Sequence, residues 1–535
     1  MIRVIVYCLA IGLTCISQVV YAQGLNEFVK QGWITPKEPV TYFLEYPKQL
    51  QSLYSSNDYQ RIWQNPHDRS ALERQLTLIH AAGISPLFDR QLKYLRLYHA
   101  RQDWFRYDLL ATDALILYLQ YAQYAPTKGQ TWFFKRPLNI ALPSLSKASV
   151  VELQRAVEHK AVSVLINQAT PQSDAYKQLV DAYESLLNHQ EAKVAEFRPD
   201  SALVLGQPIA HKAILVQRLA IVNVDVSAVD RSSMVVSPPL KHAIRAFQVM
   251  HGLPADGKLD KTTLHWLNMS IAQRQYLLAV NAERIRLWPE NASSYVQVNI
   301  PAYHMQYWYQ GQVAFQSKVI VGRRSRPTPV MNTRLQTVVF NPTWNVPYRI
   351  MMDDILPKVR QDQSYLATHE LEIIQSWRNP KTVAVQSIDW QRIDKAVFPY
   401  RLRQKAGPHN SLGQYKFVTP NARAIYLHDT PHKYLFSRQQ RAFSSGCIRV
   451  EHAKQFAQVL MTQPGSRQED AQQAHSQANS RVRLQQAIPV HLIYQTAWYA
   501  EGKIHYRNDI YHHDVFIDNP TPHSTLADVS TRLSK

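Results

Sequence analysis

The sequence predicts a multidomain α+β protein. It reads as a helical N-terminal scaffold over residues 23–213, a small helical module over 214–270 and a linker over 271–290. A mostly-β domain follows over 291–518, with a cap inserted at about 353–400, and then a C-terminal tail over 519–535. Three observations predict this. Apolar residues recur at helical spacing before residue 210, a helix–turn–helix pattern occupies 241–268, and the apolar period switches to two from about residue 291.

The first 22 residues read as a secretory signal. Arg3 supplies positive charge, Val4 to Leu13 is a short apolar core, and Val20-Tyr21-Ala22 suits cleavage before Gln23. That core is too short to span a bilayer, which takes about 20 residues, and no other stretch is apolar enough to cross one. In the scaffold, Ser149 with Glu152 is a capping-box signature. Tyr176, Leu179, Val180, Tyr183, Leu186 and Leu187 mark one apolar helix face, and Leu109 to Tyr124 is a second helix. Asp113 within it reads as a solvated or capping carboxylate. Nothing here suggests chemistry.

Lys241 to His251 forms a short helix pattern. Gly252-Leu253-Pro254-Ala255-Asp256-Gly257 is a tight turn with glycines where positive φ is needed. Asp260 is the expected N-cap of the next helix. This stretch resembles the peptidoglycan-binding domain family. Beyond it, Val296, Val298 and Ile300 alternate with polar residues, and Val313 to Val321 is a strand-like run after the turn at Gly311. Val338 to Phe340, Ala424 to Leu427 and Val490 to Tyr494 also read as strands. The polar run at 466–480 reads as an exposed loop or helix.

The chain has 535 residues, 45% of them hydrophobic, and a formal charge of +20. Removing residues 1–22 takes away Arg3 and no acid, leaving +19. An exported protein seldom meets nucleic acid, so this charge points to an anionic cell-surface polymer or membrane, or to a scattered solubilising surface. Of three cysteines, Cys8 and Cys15 lie in the signal. Cys447 is then a single thiol without an intramolecular partner in an oxidising compartment, which favours a nucleophile over a structural cysteine.

Cys447 lies in Ser444-Ser445-Gly446-Cys447-Ile448-Arg449, nineteen positions after His428. A neighbouring imidazole can take the proton of a thiol. Gly446 permits a sharp turn, so that backbone N–H groups at Gly446 and Cys447, with Ser444 or Ser445, face a developing oxyanion, and Ser444 is also expected to bind substrate. Arg449 is placed either to take a substrate carboxylate or as a surface charge. Tyr426 is a substrate contact or a packing residue.

His428, a fifteen-residue spacer and Ser444 to Arg449 together resemble the signature of the L,D-transpeptidase catalytic domain. Ser445 stands where that family usually has a second histidine, and Arg449 where it usually has asparagine. Both departures fit its large periplasmic subgroup, which joins a helical scaffold, a peptidoglycan-binding module and a capped catalytic domain. Further matching stretches are Val321-Gly322-Arg323, Arg326 to Met331, Asn341 to Trp344, Gly407-Pro408, Asn410 to Gly413 and Tyr426 to Pro431. The resemblance implies a periplasmic enzyme in which Cys447 attacks a peptidoglycan tetrapeptide stem, aided by His428. D-Alanine leaves, and a second stem's amine resolves the thioester into a 3→3 cross-link. A backbone carbonyl, that of Asp429, orients the imidazole. The resemblance also implies inactivation by carbapenems, a D,D-carboxypeptidase that supplies the stems, and penicillin-binding proteins as further partners.

His432 and His452 read as surface or packing residues. His512-His513-Asp514 does not form a metal site, because adjacent strand residues face opposite ways. No metal or cofactor is expected. The competing readings are an L,D-carboxypeptidase or endopeptidase that uses water as acceptor, and a non-catalytic peptidoglycan-binding scaffold. Cell-wall cysteine peptidases of the better-known type place Cys before His, the reverse of the order here.

Overall fold

The computed structural model describes residues 44–189, 194–288, 292–390, 398–462 and 477–516. The signal segment, most of the 466–480 run and the C-terminal tail lie outside these. The chain divides into two compact units. One holds the residues up to 290 with 497–506 and 513 onwards, and the other holds 291–496 with 507–512.

In the first unit, helices α1 (Pro47–Ser56), α2 (Pro66–Ala81) and α3 (Pro86–Ala100) each begin with proline. At that position the lost N–H has no intrahelical partner anyway. Asn65 and Ser85 cap α2 and α3 through their side chains. Helix α4 (Trp104–Phe134) is the centre of the bundle and has buried residues all round. It contains the expected 109–124 helix and extends it at both ends. Asp113 is fully buried rather than solvated. It accepts hydrogen bonds from Glu45 N, Tyr46 N and Gln91 Nε2, and burial pushes its pKa up to about 7. Helix α5 (Lys147–Glu158) is capped by Ser146, whose side chain takes the Ser149 N–H. The Ser149–Glu152 pair therefore sits one turn inside the helix, not at its cap. After α6 (Val162–Gln168), α7 (Asp174–Leu187) buries Tyr176, Leu179, Val180, Tyr183 and Leu186, while Leu187 is exposed.

Helices α8 (Lys212–Ile221), α9 (Pro238–Met250) and α10 (Lys261–Leu267) form the small module. Asp260 caps α10 through the Thr263 N–H at 2.7 Å. Gly252 and Gly257 have φ of +65° and +73°, and the Gln248 side chain bonds Gly257 N and Lys258 O across the turn. Residues 271–290, expected as a linker, instead open with helix α11 (Ile271–Arg284), which starts on a Ser270–Gln273 capping box and is buried along its length. Its apolar face and the capping box were both present in the sequence. Among the described residues, no helix is long and apolar enough to cross a membrane.

The second unit is built on one sheet. Its strands are β1 (Tyr295–Asn299), β2 (His304–Tyr309), β3 (Gln312–Gly322) and β4 (Met331–Phe340), then, after an insertion, β8 (Tyr415–Val418), β9 (Leu427–His428), β10 (Ala442–Ser444), β11 (Ile448–Val450) and β12 (Ser480–Ile493). Their order is β10-β3-β11-β9-β8-β4-β12-β1-β2, and β2 also pairs with β3, so the sheet closes on itself. Val296, Val298 and Ile300 are fully buried, as their period of two requires. The strand expected at 424–427 is shorter: Ala424 has φ of +53° in a turn held by the Asn421 side chain, and pairing covers only Leu427 and His428. The insertion is wider than 353–400. It spans β5 (Trp344–Asn345), β6 (Leu371–Ile374) and β7 (Arg401–Gln404), a separate three-stranded sheet, with a helical run over 348–361. Its own core includes Val346, Met351, Val359, Leu366, Trp390 and Leu402.

The mostly-β domain was expected to run to residue 518. Instead, the hairpin β13 (Ala497–Ala500) and β14 (Lys503–Tyr506) belongs to the first unit, where Tyr506 stacks on His251 at 4.9 Å.

Candidate active site

Cys447 occupies the turn between β10 and β11, and His428 ends β9. Strands β9 and β11 are parallel neighbours, with Leu427 opposite Ile448 and His428 opposite Arg449. This pairing brings the imidazole beside the Cys447 turn.

The turn is held from within and from one flank. Ser444 Oγ donates to the Cys447 carbonyl at 2.6 Å and accepts the Gly446 N–H at 3.1 Å. Ser444 is therefore buried, with its hydroxyl engaged inside the turn. The Gly446 N–H is likewise engaged, and among the described residues no hydrogen bond occupies the Cys447 N–H and keeps it from donating. Gly446 has φ of +119°, a conformation open to glycine. From the flank, Thr328 Oγ1 donates to the Gly446 carbonyl at 2.7 Å and accepts the Gly322 N–H at 2.8 Å. Tyr511 clamps the same segment: its hydroxyl accepts the Thr328 N–H at 3.1 Å and donates to the Gly322 carbonyl at 2.6 Å. A Cβ on Gly322 would lie 2.2 Å from the Arg326 carbonyl, so only glycine fits there. Arg326 donates to Ser445 Oγ at 3.2 Å and is paired with Asp353 and Asp354, which lie in the π-helical stretch Met351–Ile355 of the insertion. Sequence reasoning missed Thr328, Arg326 and Tyr511 as supports of the turn. The first two stand in a stretch already singled out, but Tyr511 lies too far along the chain to be suspected.

His428 is buried. Its Nδ1 is 2.5 Å from the Asp429 carbonyl. A carbonyl only accepts, so Nδ1 carries the proton and Nε2 presents its lone pair. The Asp429 carboxylate is turned elsewhere, to Gln414 N and Lys433. Burial, with Arg449 next, pulls the His428 pKa down to about 3, so the ring is neutral. Burial pushes the Cys447 thiol up, while the Tyr426 backbone, Lys416, the Tyr426 hydroxyl and Arg449 pull it part of the way back. Sγ is 3.7 Å from the Ala424 carbonyl, and among the described residues no hydrogen bond joins it to the imidazole. The resting pair is thiol and neutral imidazole.

The Tyr426 ring meets His428 edge-on at 5.7 Å, and Lys416 Nζ lies 4.1 Å from its centroid. Arg449 is half-buried, and its Nε is buried without a hydrogen bond. His432 and His452 are exposed. Asp514 pairs with Arg284 at 2.7 Å in the first unit, and the His513 ring packs on Phe134.

Three family descriptions match the chain: a scaffold domain over residues 48–182, a "putative peptidoglycan binding domain" over 214–267 and an L,D-transpeptidase catalytic domain over 293–468. A Haemophilus influenzae protein described as "Putative L,D-transpeptidase" is 32% identical over 474 residues, covering 88% of this chain and 79% of that protein. Among solved structures, a cysteine-to-serine variant of the Enterococcus faecium L,D-transpeptidase is 12% identical over 38% of this chain, with a TM-score of 0.17; the match spans about half of that protein, 50%. An L,D-transpeptidase from Stackebrandtia nassauensis is 13% identical over 56% of this chain and 97% of its own, with a TM-score of 0.21.

Proposed function

Because the chain belongs to the L,D-transpeptidase family, we propose that it forms 3→3 peptidoglycan cross-links by cysteine acyl transfer from tetrapeptide stems. The observation that carries this is the half-buried, unpaired thiol of Cys447 beside a neutral imidazole whose Nε2 is unprotonated.

That geometry supports the following steps. The thiol rotates from Ala424 towards His428, and Nε2 takes its proton as sulfur attacks the carbonyl of the third stem residue. The oxyanion is met by the Cys447 N–H, with Ser445 Oγ beside it. The tetrahedral adduct collapses, the C–N bond breaks, and His428 returns the proton to the departing D-alanine amine. The side-chain amine of a second stem attacks the thioester, gives its proton to Nε2, and the thiolate leaves and is reprotonated. Asp429 supports this through its carbonyl, which fixes the tautomer. Arg449 attracts substrate charge, and Tyr426 lines the thiol. The setting is the periplasm, reached by way of the N-terminal signal. The module over 214–267 holds peptidoglycan, and a D,D-carboxypeptidase and penicillin-binding proteins act on the same polymer.

The test is intact-protein mass spectrometry of residues 23–535 after incubation with a carbapenem, with Cys447→Ala in parallel. One adduct on the wild type and none on the variant is the expected result; no adduct on folded wild-type protein sinks the reading. His428→Ala should slow acylation by at least about a hundredfold, the scale of a lost general base. Muropeptide analysis then separates amine from water as acceptor.

A further inference from the structure

Five residues from five neighbouring strands stand in one row across the sheet. Arg481 of β12 is opposite Val339 of β4, Val339 opposite Lys416 of β8, Lys416 opposite His428 of β9, and His428 opposite Arg449 of β11. Laterally paired residues project to the same face of a sheet. The proposed base therefore stands in a line with three cations. Lys416 and Arg481 share a cleft of about 260 Å³ whose walls also include Thr337, Val339, Asn345 and Val418, and no acidic residue lines it. Among the described residues, neither cation forms an ion pair. Lys416 is half-buried; burial disfavours its charge, Cys447 offsets part of that when ionised, and Arg481 disfavours it further. Two like charges facing one cleft without a counter-charge repel each other, and an anion between them reverses the sign of that interaction.

We propose that the cleft between Lys416 and Arg481 is a carboxylate-binding site that takes the terminal carboxylate of the donor stem. This rests on the transpeptidase reading above and names what the site selects. His428 must stand next to the departing amine in order to protonate it, and the terminal carboxylate lies one α-carbon beyond that nitrogen. Lys416 is one strand from His428, about 5 Å away, which is the reach of that single residue. The cleft opens on the Lys416 side of His428. On the other side, Arg449 is half-buried, and a second stem carboxylate is its natural counter-charge. The consequence is a preference for stems that end in a free carboxylate at the residue after the scissile bond.

The test is calorimetric binding to the full-length Cys447→Ala chain, which holds substrate without turning it over. The ligands are a tetrapeptide stem and the same peptide amidated only at its C-terminus. The free acid should bind at least about tenfold more tightly, the scale of one charge-assisted contact. Arg481→Gln should shrink that ratio, and Lys416→Gln with Arg481→Gln should bring it near one. Arg481 is exposed, so its single variant keeps the fold. Equal binding of the two peptides, a ratio that survives in the double variant, equal weakening of both peptides, or no binding of either overturns the assignment. Carbapenem acylation of the wild type is read separately, so a failure of the transferase reading shows there and not in the peptide ratio.

Discussion

At Cys447 the balance between burial and nearby cations decides how the proposed nucleophile is armed. A preformed thiolate–imidazolium pair needs a histidine pKa above the thiol's. Here burial takes His428 down to about 3 and raises the thiol, so the two pKa values are in the opposite order. Alkylation of the free protein by iodoacetamide should therefore rise about tenfold per pH unit from 6 to 8, without the plateau of an ion pair and without an inflection near 6.5. A flat profile across that range would contradict the neutral pair. The same logic applies to a residue far from chemistry. Glu283 is fully buried, accepts from Tyr121 at 2.7 Å and pairs with Arg286 at 2.7 Å. Glu283→Ala strands a buried guanidinium and should cost about 3–5 kcal/mol in the denaturant-induced unfolding of the first unit. Glu283→Gln, which keeps an acceptor for Tyr121, should cost less.

Short elements here gain their precision from cross-links that pattern reading does not supply. Strand β9 has two residues and β11 three, too few to hold a catalytic geometry by ladder bonds alone. Thr328, Ser444 and Tyr511 supply the remaining contacts, and Arg326 ties Ser445 to Asp353 and Asp354 of the insertion. Arg326→Ala should remove the cation that Asp353 and Asp354 share and leave a loose turn. Acylation by a carbapenem should fall at least about tenfold in rate, the scale of a misplaced reacting group, and Arg326→Lys should recover part of it. An unchanged acylation rate in Arg326→Ala would show that the turn needs no such tie. The His428–Cys447 spacing and the Ser-Ser-Gly turn were legible because they are local in sequence. So were the Asp260 cap and the alternation at Val296, Val298 and Ile300. The Lys416–His428–Arg449 row was not, because register across three strands is set by turns and bulges that a single chain pattern does not encode. The role of Ser444 inside the turn was not legible for a related reason: a hydroxyl beside such a cysteine looks equally suited to substrate and to its own turn.

Across the whole molecule, the order of residues and the order of units diverge. The chain leaves the first unit near 290, completes most of the second, and returns with 497–506 and again from 513. A reading that assigns contiguous ranges to domains cannot anticipate this. The hairpin is too short to signal its destination, and its apolar residues would suit either core. What it contributes is specific. Tyr506 is buried, lies parallel to His251 at 4.9 Å and near Trp266 at 6.0 Å, and the Arg274 guanidinium is 5.7 Å from its ring. Asp514 neutralises Arg284, which has no exposed side-chain surface. The first unit thus takes an aromatic plug and a counter-charge from residues that follow most or all of the second. Tyr506→Ala should therefore destabilise the first unit by about 3–5 kcal/mol, the cost of a large aromatic deleted from a core, although residue 506 follows nearly all of the catalytic sequence. Limited proteolysis resolved by mass spectrometry checks this. Early cuts in the variant should fall between 212 and 288, with the 295–493 sheet cleaved no faster than in the parent. Faster cleavage within 295–493 would instead place the hairpin's stabilising role in the second unit.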